Sequence, residues 1–228
     1  MEKYNKLYQF GVADAFVSGL YHGELPLTTL KENGDFGIGA PDLIDGELTM
    51  HNGKVYQTKS NGQTAEAPEE AKTPFAFVSH FKADVTFSFV MPASGQNILE
   101  QLDAYLSNKN GMYAIRISGL FDHVKTRVYP PVDQEPFPPL ADILDRQNFF
   151  CFNNIGGVLV GYKLPPYLNG INIKGYHFHF LSNQLTEGGH VLDFSIHHVK
   201  AEVAILTGFT LAAPTCHSFT TYDFENTL

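Results

Sequence analysis

The apolar positions along the chain change period several times, and each change suggests an element. Between Gln9 and Leu20, Phe10, Ala13, Phe16, Val17 and Leu20 recur at the 3.6-residue spacing of an amphipathic helix, with Gly23 after its end. LPLTTLKENGDFG suggests a second short helix, with Thr28 or Thr29 near its cap and Gly34 past its last turn. From Asp35 the pattern becomes extended and glycine-broken, and HNGK within DGELTMHNGKVYQT is the Asn-Gly signal of a β-hairpin. After a polar loop, PFAFVSHF and ADVTFSFVM predict strands, and SGQNILEQLDAYLSNKNG returns to helical spacing through Ile98, Leu99, Leu102, Tyr105 and Leu106. MYAIRISGLFDHVKTRVY then predicts two strands, ADILDRQ a short helix and NIGGVLVGYKL a strand. GYHFHFLS and GGHVLDFSIHHVKAEVAIL follow as antiparallel strands. Strands outnumber helices, so the expected class is α+β. The proline-rich VYPPVDQEPFPPL has the character of an extended linker, dividing the chain into halves 1–130 and 131–228 that need not be independent domains.

Composition narrows the partners. With 43% hydrophobic and 17% charged residues among 228, the chain can bury enough apolar surface to fold. Its net charge of −9 comes without two adjacent Lys or Arg anywhere, which excludes the electrostatic footprint of a nucleic-acid or anionic-membrane partner. The start, MEKYNKLYQFGVADAFVSGLY, is interrupted by Gly11 and Asp14 and suggests neither a signal peptide nor a membrane span. Two cysteines, Cys151 and Cys216, form no CxxC spacing and no disulfide framework, so a reducing, cytoplasmic location is expected.

Candidate chemistry concentrates in GYHFHFLSNQLTEGGHVLDF. In a strand, His177 and His179 share one face while Tyr176, Phe178 and Phe180 take the other. The polar segment from Ser182 to Gly189 can turn the chain back, so that His190 approaches the same point from the neighbouring strand. Three neutral imidazoles suit Zn²⁺ and leave its fourth position to water or substrate, as in a catalytic site. The bland alternative is that HxH pairs are often surface residues. His197 and His198, adjacent on a strand, face opposite ways and are read as structural, and His22, His51, His80, His123 and His217 stand alone. On pattern alone Glu47, in a glycine-flanked strand, and Arg127, before the proline cluster, are weak candidates. No phosphate loop, dinucleotide fingerprint, GxSxG elbow or HExxH helix occurs, which disfavours nucleotide chemistry.

The succession LYQFGVADAFVSGLYHGE, GDFGIGAPDLIDGELTMHNGKVYQ, KTPFAFVSHF, YAIRISGLF, KTRVYPP and GYHFHFLSNQLTEGGHVLDF resembles the alpha-acetolactate decarboxylases along nearly the whole chain. The resemblance implies two strand-rich halves with mixed or antiparallel sheets and a few short helices, a zinc site near their junction, and a homodimer. It assigns His177, His179 and His190 as zinc ligands, and it promotes Glu47 of DGEL and Arg127 of KTR, where the family pattern reads QTR, to the metal site. It also implies a further Glu in a C-terminal tail. The acids on offer here as stand-ins are Glu187 and Glu225, the latter in the closing Glu225-Asn226-Thr227-Leu228. The implied substrate, acetolactate, is a β-keto acid whose ketone oxygen can accept the electrons left by CO₂, so a Lewis acid replaces any organic electron sink. Arg127 would then hold the carboxylate or the ene-diolate oxygen, and Glu47 would join the proton relay to acetoin. Two other readings use the same ligands: a zinc hydrolase working through metal-bound hydroxide, and a decarboxylase-like protein that binds metal with reduced activity or none.

Overall fold

A computed structural model describes residues 4–225. In chain order its strands are β1 (Lys6–Phe10), β2 (Leu25–Pro26), β3 (Phe36–Ala40), β4 (Glu47–His51), β5 (Lys54–Thr58), β6 (Thr64–Glu66), β7 (Lys72–Thr73) and β8 (Phe75–Ser79). There follow β9 (Val85–Phe89), β10 (Ala93–Ser94), β11 (Met112–Val128), β12 (Asn148–Leu164), β13 (Gly175–Ser182), β14 (Gly188–Leu206) and β15 (Gly208–Ala212). The helices are α1 (Ala13–Val17), α2 (Leu27–Glu32), α3 (Gly95–Tyr105) and α4 (His217–Thr220). None of them is long and apolar enough to cross a membrane.

Seven strands form one sheet in the order β15-β1-β8-β3-β4-β5-β6, antiparallel except for the parallel β1–β15 pair. Its hairpin between β4 and β5 turns through Asn52 and Gly53, both at positive φ (51° and 76°), as the Asn-Gly signal predicts. The second sheet closes on itself: β11 pairs β12, β12 pairs β13, β13 pairs β14 and β14 returns to β11, all antiparallel, with β9 and β10 added to β14. Both sheets draw on residues either side of position 130, because β15 joins the first and β9 to β11 join the second.

The period-2 rule explains how the layers pack. Along β12, Val158, Val160 and Tyr162 face a core shared with Leu7, Phe36, Phe75 and Phe77 of the first sheet, while Leu159 faces a second core inside the strand ring. That second core is plugged by Ile98 and Leu102 of α3, whose amino end is capped by the Ser94 hydroxyl accepting from the Asn97 amide. A third cluster, with Leu27 and Leu30 of α2, covers the far face of the first sheet. Strands buried on both faces, such as Phe75–Ser79, therefore read as unbroken apolar runs.

Five local expectations are corrected. The helix expected over Gln9–Leu20 is a strand ending at Phe10, a turn at Gly11 (φ 82°) and a five-residue helix. The two strands expected over Met112–Tyr129 are one strand, with register shifts between Leu120 and His123 and between Lys125 and Thr126. ADILDRQ is a 3-10 turn, and α2 is capped at Pro26 rather than at Thr28 or Thr29. The proline cluster does not hang free: the Val132 amide donates to the Leu43 carbonyl, and the Tyr21 hydroxyl donates to the Pro138 carbonyl.

Candidate active site

Strand register assembles the site. Phe178 and Phe180 belong to the core inside the ring, so His177 and His179 face the first sheet instead. The ladders then set His179 opposite His190 and His190 opposite Arg127, one row across three strands. One ligand nitrogen from each of His177, His179 and His190 lies within 4.8 Å of the others, and His177 Nε2 is 3.0 Å from His190 Nδ1. His179 is 1% exposed and its Nδ1–H donates to the Leu48 carbonyl at 2.8 Å. A carbonyl can only accept, so the His179 tautomer is set and the Nε2 lone pair turns to the site.

The surroundings keep these rings neutral. Burial, reinforced by the Arg127 charge, lowers His177 to about 3, and burial takes His179 and His190 well below the usual imidazole range. His177 Nδ1 is buried without a hydrogen-bond partner. Three close, neutral imidazoles, one of them braced by a backbone carbonyl, fit a divalent metal of borderline softness such as zinc.

Glu47 enters from the first sheet as the opening residue of β4. The chain reaches it through Leu43 and Ile44, both at positive φ (55° and 50°), and Gly46 at φ 102°, where a Cβ would stand 1.9 Å from the Thr58 carbonyl. Two non-glycine residues in the left-handed region store strain of about 1–3 kcal/mol each, a pattern that clusters at functional sites. Glu47 is 6% exposed; its Oε1 accepts from Arg127 Nη1 and its Oε2 is 3.4 Å from His179 Nε2. Burial pushes its carboxyl up to about 7 against the opposing pull of Arg127. The Arg127 guanidinium carbon also lies over the Tyr129 ring, 4.8 Å from its centre.

All of these side chains line one cavity between the sheets. It offers about 60 Å³ to the centre of a water-sized sphere, well above the ~10–15 Å³ that one water needs. Its other walls are apolar, including Phe16, Phe75, Phe77, Leu140 and Ile173. Glu187 and Glu225 are not in its lining: Glu187 accepts from the Ser182 and Thr186 hydroxyls, and Glu225 is exposed beside Asp223. His197 is paired with Asp122 at 3.3 Å, His22 with Glu135, and Cys151 and Cys216 are free thiols. Tyr129 and the apolar walls are the site residues that pattern reading did not single out. For Tyr129 a signal existed, since it follows Arg127 by two residues and so shares its side of an extended chain.

The sequence profile of the alpha-acetolactate decarboxylase family matches residues 7–226. The chain belongs to the alpha-acetolactate decarboxylase family. That membership makes it a carbon–carbon lyase. Among its relatives, the alpha-acetolactate decarboxylase of Methanosarcina mazei is 38% identical over 213 residues, covering 93% of this chain and 74% of the relative. That of Methylococcus capsulatus is 35% identical over 219 residues, covering 96% and 84%. The crystal structure of acetolactate decarboxylase from Bacillus subtilis subspecies spizizenii superposes with a TM-score of 0.93 at 30% identity, covering 97% of this chain and 95% of the other. The α+β architecture is thus that of an acetolactate decarboxylase.

Proposed function

We propose that the chain converts 2-acetolactate to acetoin and CO₂, with His177, His179 and His190 holding Zn²⁺ beside Glu47 and Arg127. The observation that carries this reading is the convergence of three neutral imidazoles, a buried acid and a guanidinium on one apolar cavity in a member of this family. In the reaction the bond between the carboxylate carbon and C2 breaks. Its electron pair moves toward the neighbouring ketone as an ene-diolate, and one proton then adds to C2. When bound, zinc supplies a Lewis acid that offsets negative charge growing on the ketone oxygen.

The chain's own residues do the rest. Arg127 holds the carboxylate until it leaves as neutral CO₂, and the apolar walls favour that loss of charge. Glu47, in contact with both Arg127 and His179, passes the proton to one face of C2. The His179 tautomer is held by Leu48, so its ring cannot turn its lone pair away. The same reading takes the enzyme as a cytoplasmic homodimer, in keeping with its two free cysteines and with exposed Val85, Val90 and Met91 at and after β9.

The test is CO₂ and acetoin formation from racemic acetolactate by the purified chain before chelation, after it, and after Zn²⁺ is returned, with bound metal quantified. Activity that tracks zinc is expected. Zinc bound without acetoin would instead leave a metal-binding relative of the family.

A further inference from the structure

Tyr129 belongs to the cavity wall, yet no step of the proposed chemistry uses it. Tyr129 is 3% exposed, and the Arg127 guanidinium carbon sits over its ring 4.8 Å from the centre, within cation–π range. Its hydroxyl accepts from the side-chain amide of Gln147 at 2.5 Å, and Gln147 follows the Leu140–Arg146 turn whose Leu140 walls the same cavity. The ring is therefore fixed at its edge while its face holds the cation.

The choice of an aromatic residue here has a physical consequence. Glu47 already takes one end of the guanidinium. A second carboxylate would give the cluster a net negative charge and consume further N–H donors, whereas a ring adds no charge, meets the cation through its face and leaves the edge donors free. An arginine meant to receive an anionic substrate needs both its charge and those donors.

We propose that Tyr129 is a positioning residue: its ring face holds the Arg127 guanidinium flat, with the N–H edge not taken by Glu47 available to the carboxylate of a 2-hydroxy-3-oxo acid. This rests on the reading of Arg127 given above.

The experiment uses the zinc-loaded chain and 2-hydroxy-2-methylbutanoate, which has the carboxylate and hydroxyl of the substrate but no ketone and so cannot decarboxylate. Affinity is measured for the wild type, for Tyr129→Phe, and for the chain carrying pentafluorophenylalanine at position 129, with zinc content and thermal midpoint followed in parallel. Phenylalanine keeps the ring face, so binding within about 3-fold of wild type is expected, while the fluorinated ring, of closely similar shape but reversed quadrupole, should bind roughly 10-fold more weakly. In turnover of acetolactate KM should rise in the same order, with kcat changing less. Equal binding by the phenyl and fluorinated rings would show that the ring merely fills space, and failure of the wild type to bind the probe would also overturn the proposal. Ring-dependent binding without acetoin would sink the decarboxylase reading and leave the positioning intact. Acetoin formation without ring dependence would do the reverse.

Discussion

Arg127 and Glu47 are 15% and 8% exposed at their side chains, so each is the main solvation that the other has. Removing one member of such a pair leaves an uncompensated buried group, which costs about 3–5 kcal/mol. Arg127→Ala is therefore expected to lower stability to urea by about 3 kcal/mol and acetoin formation at least ~100-fold. The double variant Arg127→Ala with Glu47→Gln should recover most of the stability and none of the turnover. Denaturation curves and an acetoin assay on the three chains check this. At the same scale lies the limit of what the residues announce. His177, His179 and His190 are legible because period-2 alternation and a turn are local facts. Glu47 and Arg127 carry no local signature: their meaning is a contact 80 residues apart in sequence, and only resemblance to a family singled them out.

Elements show the same division. The Asn-Gly hairpin and α3 are written into short stretches, so pattern reading finds them. The Gln9–Leu20 stretch misleads because β1 is buried on both faces near its end, with Leu7 and Gln9 at 0% on one and Phe10 at 6% on the other, which removes the alternation that marks a strand. Gln9 is a polar residue whose burial only tertiary partners explain: its amide donates to the Gly11 and Ile171 carbonyls, and its oxygen accepts from Asn172. Strand β11 reads as two because Gly119, at φ 150°, and the register shifts near Leu120–His123 break its alternation mid-course. The approach to β4 gives a prediction at this scale. A methyl at Gly46 would meet the Thr58 carbonyl in a backbone conformation that alanine avoids, so Gly46→Ala should cost about 2–3 kcal/mol and shift Glu47. Thermal unfolding and turnover should fall together. A variant that unfolds earlier yet keeps full turnover would separate strand entry from acid placement.

At the scale of the whole molecule the cavity is a seam: the first sheet supplies Glu47 and the Leu48 carbonyl, and the strand ring supplies the histidines and Arg127. A metal held by the ring and braced through His179 should therefore stabilise both layers. At free zinc 100 times its dissociation constant the gain is about 2.7 kcal/mol, or roughly 5–10 °C in thermal midpoint for a chain of this size. Calorimetry with and without Zn²⁺ measures it, and His179→Ala should abolish the zinc-dependent part. A zinc response undiminished in that variant would place the metal elsewhere.

The parallel pairing of β1 with β15 bears on how the molecule comes into being on the ribosome. Lys6 faces Gly208, so the outer edge of one of the first strands to emerge must wait for about 200 further residues, roughly 10–40 s at ordinary elongation rates. Until then the outer edge of Lys6–Phe10 has no strand to pair with, and an unpaired edge is what recruits neighbouring chains. Slow translation upstream of Gly208 would then lower the yield of folded enzyme without altering a single residue of the finished protein.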